Sequence, residues 1–129
     1  MTLSEAIDAI EEAYEFMLAY AAQGRDSDAS RDGKSAIRQQ LESAEAALAA
    51  LPGLLADAAA RFNGVQGEAT RAFSAVVEQD GARARAAIRF VLAQPGIGSP
   101  LVDNLNGSIH LRTMLTDLFL IDDALKPVN

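Results

Sequence analysis

The side chains able to do chemistry are few and scattered. There is one histidine, His110, and no cysteine. A carboxylate-bridged di-iron bundle needs two Glu-x-x-His pairs, and the chain has none. A zinc site would have to combine one imidazole with carboxylates, an unusual donor set. His110 could serve as a phosphoacceptor or general base, but its position in the first turn of a helix reads as a partly exposed flank. Without cysteine there are no disulfides, thiolate metal sites or thiol nucleophiles. A Gly-rich phosphate loop and a Gly-x-Ser-x-Gly elbow are both missing. No cofactor and no metal are implied.

Three groupings remain. Asp28, Ser30, Asp32 and Gly33 follow the opening order of a calcium loop, in which alternate oxygen donors and a glycine curl the chain around a cation. The twelfth position, which should carry a bidentate Glu, is Gln39, so the stretch reads as a solvated connector. Asp122 shares a helix face with Leu118 and Leu125, and a carboxylate there needs a partner or a raised pKa. An ion pair with an arginine, Arg85 or Arg89 among the candidates, is the first reading of Asp122. A polar cavity wall, with Tyr14 nearby, is the second. Arg83, Arg85 and Arg89 form the one basic cluster, with Arg85 and Arg89 on one face. Salt bridges to the abundant carboxylates explain them as well as a bound anion does.

The elements that must position these groups are helical. The chain has 129 residues, a length suited to one domain spanning 1–129. Leu111, Met114, Leu118, Ile121 and Leu125 recur at 3-4-3-4, one face of a helix. All but one of the alanines precede Ile97. The expected fold is therefore an all-α antiparallel bundle of four to five helices, with this Leu-rich C-terminal helix at the centre of thinner, Ala-rich ones.

In order, a first helix over about 2–23 opens on a Thr2/Glu5 capping box and stops at Gly24. It carries two apolar tracks, one of Leu3, Ile7, Ile10, Tyr14 and Met17, the other of Ala9, Ala13, Phe16 and Tyr20. A mobile polar loop is expected over 24–33. A second helix, 34–50, should end at Pro52-Gly53. A third, with the stripe Leu55, Ala58, Phe62, Val65, Ala69, Phe73 and Val76, should reach a weak point at Asp80-Gly81, and a fourth should cover 82–94, unless these two form one long rod. A loop over 94–99 precedes the last helix, which Ser99 caps and Asn106-Gly107 interrupts.

Composition narrows the function. The net charge of −7 repels polyanions, which argues against nucleic acid and anionic membrane surfaces. No apolar run is long enough to span a bilayer, and the first residues do not resemble a secretion signal. Nine arginines against two lysines, with the alanine content, suggest a GC-rich bacterial genome and a cytoplasmic protein. The expected function is non-enzymatic: an interaction or regulatory protein acting through protein–protein contacts. A homodimer is expected, joined through Ala9, Ala13, Phe16 and Tyr20 against their own copy or against Leu120. The alternative is a small-molecule binding bundle with a cavity beneath the C-terminal helix.

Overall fold

A computed structural model of the chain describes residues 1–29 and 35–125. It is all-helical, with five helices packed as a bundle: α1 (Leu3–Ala21), α2 (Ala36–Ala59), α3 (Gly64–Leu92), α4 (Ser99–Asn106) and α5 (Ile109–Leu125). No helix of the described residues is long and apolar enough to cross a membrane. α1, α2, α3 and α5 form the walls, and short α4 lies mainly against α1. The densest packing is of α2 against both α1 and α3. The Leu-rich α5 seats one face on α3 and touches α1 and α4 more lightly. It thus closes a side of the bundle, and α2 takes the flanked position.

α1 begins as its residues dictate. Thr2 Oγ1 accepts from the Glu5 N–H at 3.0 Å, and Glu5 Oε1 accepts from the Thr2 N–H at 2.8 Å, which satisfies two of the free donors of a helix start. Both apolar tracks contribute to the core, with Leu3, Ile7, Ile10 and Met17 buried alongside Ala13 and Tyr20.

α2 does not stop at Pro52-Gly53; it runs through both residues. A proline inside a helix costs about 3 kcal/mol. Against that stands an apolar stripe that stays in register across it: Leu41, Ala44, Leu48, Leu51, Leu55 and Ala58 are all buried. Beyond the proline lie Leu55, Ala58 and Ala59, all buried, with half-buried Leu54 packed against the core; burying a Leu contributes roughly 1.5–3 kcal/mol, so together they offset a cost of that size. The real corner comes ten residues later. Gly64 has φ +61°, and a Cβ on Gly67 would lie 2.5 Å from the Phe62 carbonyl oxygen. These two glycines make the turn into α3 possible; they do not kink a helix already under way.

α3 is continuous through Asp80-Gly81, so the expected third and fourth helices are one rod. Gly81 is buried and faces Met114 of α5. The stripe expected to point inwards over the first turns of α3 does not. Val65 and Val76 are 83% and 45% exposed, Ala69 is exposed and Phe73 half-buried. Only from Val77 onwards does α3 bury its large apolar side chains. The loop after α3 and the break at Asn106-Gly107 fall where expected. Ser99, however, is the first residue of α4 and not its cap, and Gly98 holds the capping position.

Candidate functional site

Four places bring polar or apolar groups together in ways that could carry function. The first is the loop over 24–29, expected to be mobile and solvated. Asp28 is in fact 8% exposed. Its carboxylate accepts from the Ile97 N–H at 2.8 Å and from Arg38 Nε at 2.7 Å. The same guanidinium donates to the Leu92 and Gln94 carbonyls, at 2.8 and 2.7 Å. Burial alone would push the Asp28 carboxyl up. The Ile97 N–H, the Ser35 hydroxyl and Arg38 outweigh it and hold the carboxyl at about 2. Arg25 and Ser99 bond reciprocally beside this hub: the Ser99 N–H donates to the Arg25 carbonyl at 2.7 Å, and the Arg25 N–H to Ser99 Oγ at 2.8 Å. The Asp28 carboxylate is thus committed to Arg38 and Ile97, which removes it as a calcium ligand. Ser30, Asp32 and Gly33 lie outside the described residues. No group of three or more metal-ligating side chains occurs among the described residues.

Tyr20 belongs to the same end of the bundle. It is 2% exposed, and its hydroxyl donates to the Ile97 carbonyl at 2.6 Å while its own carbonyl accepts from Ser99 Oγ at 2.7 Å. The ring stacks on Phe16 with centroids 6.5 Å apart, and the Arg25 guanidinium lies 5.3 Å from its centroid. Burial, first among the influences on it, pushes the phenol up, so it stays a donor. The expected interface track is corrected here. Ala13 and Tyr20 are core, Ala9 and Phe16 are half-buried against that core, and the arrangement locks α1 to the start of α4. Leu120 is 60% exposed, as expected.

The second place joins α3 to α5. Asp80 and Asp117 face each other across the helix pair. Burial first, then the hydrogen bond to Asp80 and its charge, push the Asp117 carboxyl up to about 7. Asp117 Oδ2 is shut off from solvent with no donor among the described residues. Two ionised carboxylates are acceptors only, so the pair can bond only by holding a proton between them. Arg83 sits 3.5 Å from Asp80. Beside the pair is a shallow cavity of about 230 Å³, lined by Asp80, Arg83, Ile109, His110 and Thr113. Asp117 does not line it, so the raised carboxyl has no route to a substrate there.

Sequence reasoning passed over this pair, although a signal was present. Asp117 lies three residues after Met114 and four before Ile121, and Asp80 lies three after Val77 and four before Ala84. All four neighbours are buried. Both carboxylates therefore sit on the inward stripe of their helices. Asp122, the carboxylate that its spacing from Leu118 and Leu125 singles out, is half-buried and makes no ion pair among the described residues. Its charge instead helps to raise the pKa of Glu11 on α1, after burial of Glu11 itself. The arginines expected near Asp122 are elsewhere. Arg85 Nη2 is 3.8 Å from Glu45 Oε1 on α2, and Arg89 Nε bonds the same oxygen. Repulsion among Asp122, Glu11 and their neighbours thus replaces the expected ion pair.

The third place is an apolar groove between the first half of α3 and the last turns of α5. Ala69, Phe73, Leu120, Ile121 and Ala124 line it, with Leu55 of α2 at its floor. It encloses about 230 Å³, less than the roughly 300–1,000 Å³ of sites that bury a drug-sized ligand.

The fourth is a polar cleft of about 510 Å³ lined by Tyr14, Asp103, Asn104, Asn106, Gly107 and Arg112. Tyr14 was expected near a cavity by Asp122, but the lining of this cleft comes from α1, α4 and the start of α5, without Asp122. The chain matches no protein-family model, no curated protein and no solved structure.

Proposed function

We propose that this is a non-enzymatic protein–protein interaction module of the bacterial cytoplasm, docking through the α3–α5 groove, with a second copy of the chain as its first partner. One observation carries the reading. Val65, Ala69, Phe73 and Val76 follow helical spacing of 4-4-3, yet none is fully buried, and Leu120 stands exposed across the groove. Single exposed apolar residues are ordinary, whereas a periodic stripe beside a second apolar helix marks an interaction surface. A two-fold pairing would set Leu120 of each copy against the open stripe of the other, so that one patch serves both sides. Helix-in-groove docking uses this spacing. The carboxylate pair at Asp80 and Asp117 is read as structural, because Asp117 does not line the cavity beside it.

The test is sedimentation of the wild-type chain and of an Ala69→Asp/Leu120→Asp variant, with circular dichroism of both. Both positions are exposed, so the variant should fold. The expected result is a wild-type dimer and a folded monomeric variant. A wild-type chain that remains monomeric at every concentration removes the second copy as partner. A dimer that survives the double substitution removes the groove as its seat.

A further inference from the structure

α3 and α5 run antiparallel, and their contacts fix the register. Arg83 shares a hollow with Ile109, His110 and Thr113. Gly81 faces Met114 closely enough for an added Cβ to lie 3.8 Å from Sδ. Phe73 and Ala69 stand across the groove from Leu120, Ile121 and Ala124. Asp80 and Asp117 therefore meet midway along the helix pair. On one side α3 buries Gly81, Ala84, Ile88 and Val91. On the other, past Val77, lies the open groove, and its α5 wall begins at Leu120, about one turn after Asp117.

A carboxylate pair at that point holds the helices together only while it shares a proton. Asp117 Oδ2 is shut off from solvent with no donor among the described residues, and the Asp80 side chain is 13% exposed. Fully ionised, the two groups are acceptors only and repel. With one proton, Asp117 donates to Asp80 and draws α5 onto α3. Arg83, 3.5 Å from Asp80, gives the charge left on the pair a partner on the α3 side. The charged groups of the other neighbours point elsewhere. His110 lies two turns before Asp117, over the hollow that Asp117 does not line. Glu11 of α1 meets Asp122. Asp103 of α4 lines the polar cleft with Arg112, and Asp117 is not part of that lining.

We propose that Asp80 and Asp117 form a proton-operated latch that sets the width of the α3–α5 groove. Sharing a proton, they hold α5 against α3. Once that proton leaves to water, the two like charges push the last turns of α5 outwards about the Gly81–Met114 contact. This half of the pair resists least, because Phe73 is half-buried and Ala69 exposed where a packed interface would fill the space. Opening uncovers Leu55 at the floor of the groove. That the latch makes docking pH-sensitive rests on the reading of the groove as an interface; the movement itself does not.

Opening releases a proton. Burial, then the hydrogen bond to Asp80 and its charge, raise the closed Asp117 carboxyl from 3.8 to about 7. The ratio of open to closed chains therefore rises with pH between about 4 and about 7 and levels off above. Solvent screening of the partly exposed pair limits the rise to about 5–30-fold.

The chain has no cysteine, so Glu68→Cys with Asp123→Cys gives one pair of sites for nitroxide labels, both exposed and next to groove-lining residues. Double electron–electron resonance reads the distance between them in the full chain from about pH 4.5 to about pH 8. An excess of unlabelled chain removes distances between copies, so a wild-type chain that stays monomeric refutes the docking reading without touching this result. A longer distance should grow in with pH, its ratio to the shorter one climbing about 5–30-fold. Asp117→Asn and Asp80→Asn, whose amides can donate to the opposite carboxylate at every pH, should each keep the short distance throughout. A single distance at all pH values in the unsubstituted pair overturns the latch. A pH response of the same size in either Asn variant also overturns it, because the titrating group is then another, such as His110.

Discussion

Replacing Asp28 by Asn keeps its shape and removes its charge. The amide can still accept from the Ile97 N–H, but its NH₂ then opposes the Arg38 Nε–H that the carboxylate accepted at 2.7 Å. The magnitude follows from the pKa. Asp28 drops from an ordinary 3.8 to about 2 on folding, roughly two units at 1.36 kcal/mol each, so its charge contributes about 2.5 kcal/mol. Because the folded pKa is depressed, that stability is fully present above about pH 4 and is lost as pH falls through about 2. Asp28→Asn should therefore cost about 2–3 kcal/mol at pH 7, or roughly 10 °C in Tm for a domain of this length. The penalty should shrink towards zero near pH 2. The assay is urea denaturation followed by circular dichroism at pH 7, 5, 3 and 2, for both chains. A cost below about 0.5 kcal/mol at pH 7 would mean that the loop is not held by this carboxylate. A cost that persists undiminished at pH 2 would mean that packing, and not charge, is what the substitution damages.

Asp117 should respond in the opposite sense. Its folded pKa of about 7 lies above the ordinary 3.8, so its proton stabilises the fold below about pH 4, and that stability is lost as pH rises through about 7. The full shift would correspond to about 4 kcal/mol, which partial exposure of the pair reduces to about 1–2 kcal/mol. Asp117→Asn, whose amide can donate to Asp80 at any pH, should be the more stable chain at pH 8 by that amount and lose the advantage near pH 4; equal melts at pH 8 would refute the pairing. Two glycine substitutions should split in sign. A Cβ on Gly81 would meet Met114 Sδ at an ordinary 3.8 Å, so Gly81→Ala should gain about 0.5–1 kcal/mol of helix propensity. A Cβ on Gly98 would lie 2.6 Å from the Asp26 carbonyl oxygen, so Gly98→Ala should lose about 1–3 kcal/mol; melts that move the same way would contradict the packing at one of them.

What could be read from the residues alone was whatever is local. The Thr2/Glu5 cap, the two-track α1, the loop over 94–99 and the inward face of α5 all rest on neighbours a few positions away. Pro52 misled because its penalty is local while the burial that overrides it depends on α1 and α3. Asp28 misled for the same reason: its partners are 10 and 69 residues distant, and a run of polar residues carries no mark of which one turns inwards. Val65, Ala69 and Val76 show the converse failure. Their spacing correctly predicts a helix, but periodicity records that a face is apolar without saying that a neighbour of the same chain covers it. Tyr20 shows the same ambiguity, since two apolar tracks need two neighbours and the second of them for α1 is the short α4, whose Ser99 lies 79 residues away in sequence.

These outcomes divide the molecule by its ends. The end where α1 finishes and α2 starts, α3 finishes and α4 starts, holds Asp28, Arg38, Tyr20 and Ser99 in one set of bonds. Four elements meet there, and each polar contact fixes a register that Ala-rich faces leave loosely specified, since alanine offers little shape for interdigitation. The opposite end has the first turns of α3 and the last turns of α5, where apolar side chains line an open groove. If α3 buried that stripe within its own chain, the bundle would need a further helix there. The chain instead places its specifying bonds far from the groove. The open groove can therefore be rebuilt by substitution without touching the contacts that hold the helices in register.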